Sequence, residues 1–432
     1  MSEHHYLGPQ GIIAKKKKYI MPCLAHFYRN PRQIVKGSMQ YLYDSEGQRY
    51  LDCYAGVSVM NCGHCNPEIT QKVTEQVTTL QHVCNIYLTE NFVNLAERLA
   101  AVTPGTLQKT FFCSTGSEAT EGALLLAEVA RGNSEIIALR QGLHGRTKLG
   151  MSVTGLTMWR TAPTPVGGIH FAPNPYCYRC PLGKKPDTCD LACANAVEDV
   201  IKTATSGHPG AFIAETIQGN AGIVVPPKGY FRRVKEILDQ YGTLLIIDEV
   251  QTGFARTGKM FGIENYDVTP DILCMAKALG NGFPISAFIA KPEIADTYTR
   301  PGASTLGGNP VSTTAGLAVL DYIEKHHLKE RAETLGQRLR AALRALAEKH
   351  PVIGDVRGLG LMDGAEFIHA DGSPAPELLD DVLEEMKDRG YIIGKNGAGR
   401  NVMAFQPPLV ITETDLDNVI DELDRVLTAK KL

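Results

Sequence analysis

The sequence predicts an α/β protein: a large domain whose mostly parallel sheet is flanked by helices, with a smaller satellite domain. Between about Asn61 and Ala290, short apolar runs alternate with helical patterns, as in a sheet covered by helices on its faces. The length of 432 residues is too great for one minimal domain and too small for three. Several of the 42 glycines stand beside the apolar runs, where close approach of a ligand to the backbone is the usual need for them. In such a sheet, ligands sit at the carboxyl ends of the strands.

The N-terminal MSEHHYLGPQ lacks the apolar centre of a signal peptide. No run approaches the roughly 18 to 20 apolar residues of a membrane span. A cytoplasmic protein without membrane contact is therefore expected. Lys15 to Lys18 read as a solvated face. YLYDSEGQRYLD (41–52) alternates apolar and polar residues around Ser45, Glu46 and Gly47, as a hairpin does. The runs FFCS (111–114), IIALRQ (136–141), AFIAE (211–215), LLIID (244–248), ILCMA (272–276) and AFIA (287–290) are the expected strands. After about residue 315 the pattern turns helical, with Leu335, Leu339, Leu343 and Leu346 on one stripe. A last helix is expected over 413–428, opened by a capping box of Thr412 and Asp415.

The composition is ordinarily globular, with 44% hydrophobic and 21% charged residues, which excludes disorder and coiled coil. Lys and Arg number 44 against 47 Asp and Glu, a net charge of −3, so no broad cationic surface exists for nucleic acid. A small-molecule partner is expected.

Three segments carry chemistry. In PDILCMAKALGNGFP (270–284), Lys277 closes an apolar run and meets Gly280, Asn281 and Gly282. Burial there would lower its pKa and free a neutral amine to attack a carbonyl, although a surface lysine just past a strand fits the same segment. In LLIIDEVQTGFARTG (244–258), Asp248 ends an apolar run, where a carboxylate needs a cationic or hydrogen-bonding partner. A protonated pyridine nitrogen is one such partner, and a plain strand-end carboxylate is the alternative. In FFCSTGSEATEGALLLAEVAR (111–131), a strand passes through Ser114, Thr115, Gly116 and Ser117 into a helix expected to begin near Glu118. Open N–H groups and the helix dipole make that turn an anion site, or simply a capped helix start.

Together these segments give the chain its resemblance. From YLDCYAGVSVMNCGH (50–64) to NVMAFQPPLVIT (401–412), with DEVQTGFARTG, MAKALGNGFP and STLGGNP (304–310) in that order, it resembles the class III, ornithine/4-aminobutyrate type (subgroup II) pyridoxal-phosphate aminotransferases of fold type I. The resemblance implies pyridoxal 5′-phosphate as cofactor. It implies that Lys277 carries the Schiff base and shuttles the proton, and that Asp248 keeps the ring nitrogen protonated. Gly116 and Ser117 would form the phosphate cup, Val250 would pack on a ring face, and Gln251 would hydrogen-bond near the phenolic oxygen. His144 and Glu215 would line the site. Thr305 would reach the phosphate of a neighbouring subunit, implying a homodimer with shared active sites, with a tetramer of two such dimers as the alternative. The same likeness implies an N-terminal segment, 1–60, that joins a C-terminal part, 326–432, in a small α+β domain around a cofactor domain, 61–325.

Departures from the family pattern bear on substrate. Leu143 in QGLHGRT (141–147) stands where relatives usually stack Tyr or Phe on the ring. Asn220 takes the place of a glutamate in the ω-amino-acid enzymes, and Ala404 that of an arginine that clamps the substrate α-carboxylate. A lost Arg–carboxylate pair removes charge-assisted hydrogen bonds of about 1.5–3 kcal/mol each, so pyruvate or glyoxylate is expected as acceptor rather than 2-oxoglutarate. An amino acid or amine would be the donor. A lyase of the same family, which eliminates ammonia or phosphate from a phosphorylated or phosphono amine, is the alternative. Arg400 is a nearby candidate to replace the missing clamp.

Of the eleven cysteines, Cys53, Cys113 and Cys274 lie in apolar segments and read as buried thiols in a reducing compartment. Cys177, Cys180, Cys189 and Cys193, spaced C-x2-C-x8-C-x3-C, read as free thiols, a structural zinc site or one or two disulfides. The expected chemistry needs no metal.

Overall fold

The computed structural model describes residues 6–161 and 165–432. A hairpin opens the first sheet: β1 (Ile34–Ser38), β2 (Tyr41–Asp44) and β3 (Arg49–Asp52) run antiparallel, with the β2–β3 turn at the expected Ser45–Gly47. The large sheet follows, made of β4 (Lys109–Cys113), β5 (Ile136–Leu139), β6 (Ile169–Ala172), β7 (Ala211–Glu215), β8 (Leu244–Asp248), β9 (Ile272–Met275) and β10 (Ser286–Ala290). Its order is β4-β10-β9-β8-β7-β5-β6, with β10 antiparallel to both neighbours and the other pairings parallel. The expected mostly parallel sheet is thus present, with one more strand than the sequence suggested: β6, a short edge strand.

The apolar runs have no polar alternation because both faces of this sheet are buried. Leu245 and Ile247 of β8 join one core cluster, with Phe212 and Ala214 of β7 and Leu273 and Met275 of β9. Leu244 and Ile246 face the other way, with Ala211, Ile213, Ile272 and Cys274. This period-two division is what a sheet covered on both sides requires.

The remaining strands are β11 (Ile353–Leu359), β12 (Met362–Phe367), β13 (Tyr391–Ile392), β14 (Gly394–Asn396) and β15 (Val402–Phe405). Four of them form an antiparallel sheet, β11-β12-β15-β14. The other, β13, pairs in parallel with β3, setting Tyr391 beside Leu51 and Ile392 beside Asp52. The helix Leu328–Lys349 buries the expected stripe of Leu335, Leu339, Leu343 and Leu346. The helix Glu413–Lys430 opens with the Thr412–Asp415 capping box read from sequence. The helix Gly8–Tyr19 buries none of its residues, so the lysine run is indeed solvated.

The helix Leu328–Lys349 lies very close to the β11–β12 turn. A Cβ on Gly336 would fall 1.6 Å from the Gly360 carbonyl oxygen, and one on Gly360, at φ +55°, would collide with the backbone of Thr257. Gly336→Ala is therefore expected to lower unfolding free energy by about 1–3 kcal/mol, the usual cost of overpacking. A denaturant midpoint unchanged from the parent would contradict this packing.

Candidate active site

The carboxyl ends of β7, β8 and β9 meet at one cavity of about 300 Å³. Register places Glu215 beside Asp248 and Asp248 beside Cys274, so both carboxylates emerge at the same height. Lys277 follows β9 by two residues and adopts φ +47°, a left-handed conformation rare for a side chain of this size. The lysine is enclosed by protein, open only to the cavity that it lines.

Both carboxylates are buried and partnered. Asp248 Oδ1 accepts from the Val250 N–H at 3.0 Å, and Oδ2 lies 2.9 Å from His144 Nδ1. Glu215 accepts from the N–H groups of Leu143 at 2.8 Å and Gly219 at 3.0 Å. Burial nonetheless pushes the Glu215 carboxyl up to about 7, opposed by His144 and reinforced by the neighbouring Asp248. Burial drives Lys277 below the ordinary amine range, against the pull of Asp248 and Glu215. A neutral amine is more accessible here than on a surface.

The helix after β4 runs from Gly116 to Arg131 and is capped by Thr115, slightly earlier than expected. Its capping box satisfies the Glu118 N–H, and the Glu118 carboxylate takes the N–H groups of Ser114 and Thr115. The N–H groups of Gly116 and Ser117, two residues that line the cavity, remain the open donors of that helix end. Ser117 Oγ accepts from the Arg146 N–H at 3.0 Å. Gly145, at φ +126°, allows this approach, since a Cβ there would lie 2.7 Å from Ser117 Oγ.

Leu143, His144, Val250 and Gln251 also line the cavity, so it gathers nine of the ten expected residues. Thr305 lies elsewhere, in an open groove with Ser304 and Leu306 beside Glu118. Val59, Thr120, Phe283 and Ile285 also belong to the lining, without a signal of their own in the sequence. Asn220 lines the cavity, whereas Ala404 is buried among Ile217, Ile223 and Met362. Arg400 Nη1 is bound to the Lys395 carbonyl at 3.0 Å and is not part of the lining. Among the described residues no arginine lines the cavity.

All four clustered cysteines border a second, small cavity and are free thiols, so the disulfide alternative is not realised. Among the described residues no group of three or more His, Cys, Asp or Glu is arranged to hold a metal ion. Burial raises the Cys177 thiol and pushes Cys193 up to about 11, which leaves both protonated at neutral pH. Nor is any helix among these residues long and apolar enough to cross a membrane.

An enclosed lysine, a strand-end carboxylate with a histidine behind it and an open helix N-terminus in one cavity fit the amine-reactive aldehyde, ring nitrogen and phosphate of a pyridoxal-phosphate enzyme. The aminotransferase class-III family model matches residues 24–427. The chain belongs to this family, whose members use pyridoxal 5′-phosphate. It is 42% identical to the alanine–glyoxylate aminotransferase 2 homolog 2, mitochondrial, of Arabidopsis thaliana, across 97% of this chain and 88% of that one. A PLP-bound amine transaminase from an uncultivated Pseudomonas species matches with a TM-score of 0.89 and 30% identity, covering 95% and 98% of the two chains. A phospholyase from Arthrobacter in complex with phosphoethanolamine matches with a TM-score of 0.88 and 30% identity, covering 97% and 99%.

The raised Glu215 carboxyl makes stability depend on pH. The folded chain holds that proton more tightly than the unfolded one, so the support is complete below about 4.5 and lost as pH rises through about 7. In cofactor-free protein, Glu215→Gln is expected to flatten the decline of unfolding free energy across this window. Denaturant titrations at stepped pH that give identical slopes for both proteins would contradict it.

Proposed function

We propose that the protein is an aminotransferase that moves an amino group from an amino acid or amine to a small keto acid, pyruvate or glyoxylate in preference to 2-oxoglutarate. The observation that carries the acceptor preference is the cavity wall, which is free of arginine among the described residues, with Ala404 turned into an apolar cluster. A dicarboxylate would find no bidentate partner for its second charge there. The Arabidopsis relative, named for alanine and glyoxylate, supports the same range.

When bound, the cofactor supplies an aldehyde for the amine and an electron sink for the substrate Cα. Lys277 would hold that aldehyde and, as a neutral amine, would take the proton from Cα and deliver it to the former aldehyde carbon. Asp248, steadied by His144 and the Val250 N–H, would hold the proton on the ring nitrogen. Gly116 and Ser117 would bind the phosphate with their open N–H groups. Leu143 and Val250 would cover the ring, Glu215 would line its side, and Gln251 would donate to the phenolic oxygen. Thr305, outside the cavity of its own chain, serves the phosphate of a neighbouring subunit in a cytoplasmic homodimer.

A second reading is favoured by the Arthrobacter phospholyase: elimination of phosphate or ammonia from a phosphorylated or phosphono amine, with the same lysine taking the Cα proton. One screen tests both. Candidate amines, phosphoethanolamine included, are incubated with and without pyruvate, glyoxylate or 2-oxoglutarate. Strict dependence on pyruvate or glyoxylate is expected; multiple turnovers of phosphate or ammonia release without keto acid would replace the aminotransferase reading by the lyase. Lys277→Ala is expected to lose the visible absorbance of the bound cofactor and at least about 10³-fold in turnover, because it removes both the attachment and the proton carrier. Retention of either overturns the assignment of Lys277.

A further inference from the structure

Gln406 has no place in the residue assignments above. It follows β15, is fully buried, and its backbone N–H donates to the Cys53 carbonyl at 2.8 Å. Its side-chain Nε2 donates to Gln251 Oε1 at 3.1 Å, while its own Oε1 has no partner. An unpaired buried acceptor is costly, so a methionine or leucine would pack this position more favourably if packing were its only task.

The other side of Gln251 is equally constrained. A Cβ on Gly219 would fall 1.9 Å from Gln251 Oε1, so the amide oxygen rests against the bare Cα of Gly219. With Oε1 held between Gly219 and Gln406, the amide nitrogen of Gln251 is the end left for the cavity that this residue lines. An amide has one donating and one accepting end, and the group that meets one end decides which end is left for the cavity.

We infer that Gln406 is a positioning residue that fixes the Gln251 amide with its N–H donors facing the phenolic oxygen of the cofactor. This rests on the reading of Gln251 given under the proposed function. The sheet β11-β12-β15-β14 thereby sets the polarity of a contact made by a residue that follows β8.

Q406E tests it because a carboxyl donates when protonated and only accepts when ionised. At low pH the introduced carboxyl keeps the Gln251 amide as it is. Once ionised it attracts the amide nitrogen and turns the Gln251 oxygen to the cavity. Cofactor-free protein is titrated with pyridoxal 5′-phosphate over a pH series, and the pH midpoint of the visible band of the reloaded protein is recorded. Relative to the parent at each pH, Q406E is expected to bind the cofactor equally at low pH and about tenfold more weakly once ionised, the size of one reversed hydrogen bond, with a displaced band midpoint. In a Q251L background the same substitution is expected to change neither. Should Q406E fail to fold, Q406M, which frees the amide without inverting it, is expected to weaken binding about threefold in the parent and not in Q251L. Parent-like affinity and midpoint in Q406E at every pH, or an undiminished effect in Q251L, overturns the inference. Parent-like behaviour of Q251L itself removes the premise about Gln251 and the inference with it.

Discussion

Everything at the strand ends follows from one electrostatic constraint: an amine and two buried carboxylates share one cavity. Burial lowers Lys277 and raises Glu215, and both shifts reduce the charge that the cavity must hold. Leaving such groups unpartnered would cost several kcal/mol, so the chain spends backbone donors on them. Val250 serves Asp248, and Leu143 and Gly219 serve Glu215. Each donor comes from a loop that follows a strand, so the loops are as constrained as the sheet.

The same constraint joins the two layers of the molecule. Arg256, wholly buried just beyond Asp248 in sequence, donates to the carbonyls of Leu361 at 2.8 Å and Pro407 at 2.6 Å and to Asn61 Oδ1. These partners belong to the β11–β12 turn, to the segment after β15 and to the segment after β3. The loop carrying Val250 and Gln251 is thereby clamped at its far end by groups outside the large sheet, and Gln406 approaches Gln251 from that same side.

Asp248 and Lys277 were legible in the sequence because each closes an unbroken apolar run, whereas Glu215 was indicated only by the family resemblance. The turn after β4 was legible as a candidate anion site through its glycine and hydroxyls, but Thr115, one of three hydroxyl residues there, proved to be the cap. β6 escaped because IHFA is short, lies at an edge and carries a histidine. Strands β12 and β14 escaped because glycines and polar residues interrupt MDGAEF and GKN. Ala404 was recognised as a missing arginine, yet its methyl closes an apolar cluster instead of leaving a vacancy in the cavity wall. Neither the left-handed backbone at Lys277 nor the Gln406–Gln251 bond has a local signature. Both arise from tertiary contacts that bring distant segments together.

The parallel pairing of β3 with β13 has a consequence in time. The β1–β3 hairpin precedes every strand of the large sheet in the chain, yet it gains its last strand only from Tyr391 and Ile392, which follow all of them. Joining segments this far apart in a chain is entropically slow, and an unpaired edge is exposed in the interval. The edge of β3 therefore waits for β13, which acts as the closing fastener of a sheet begun long before it in the chain.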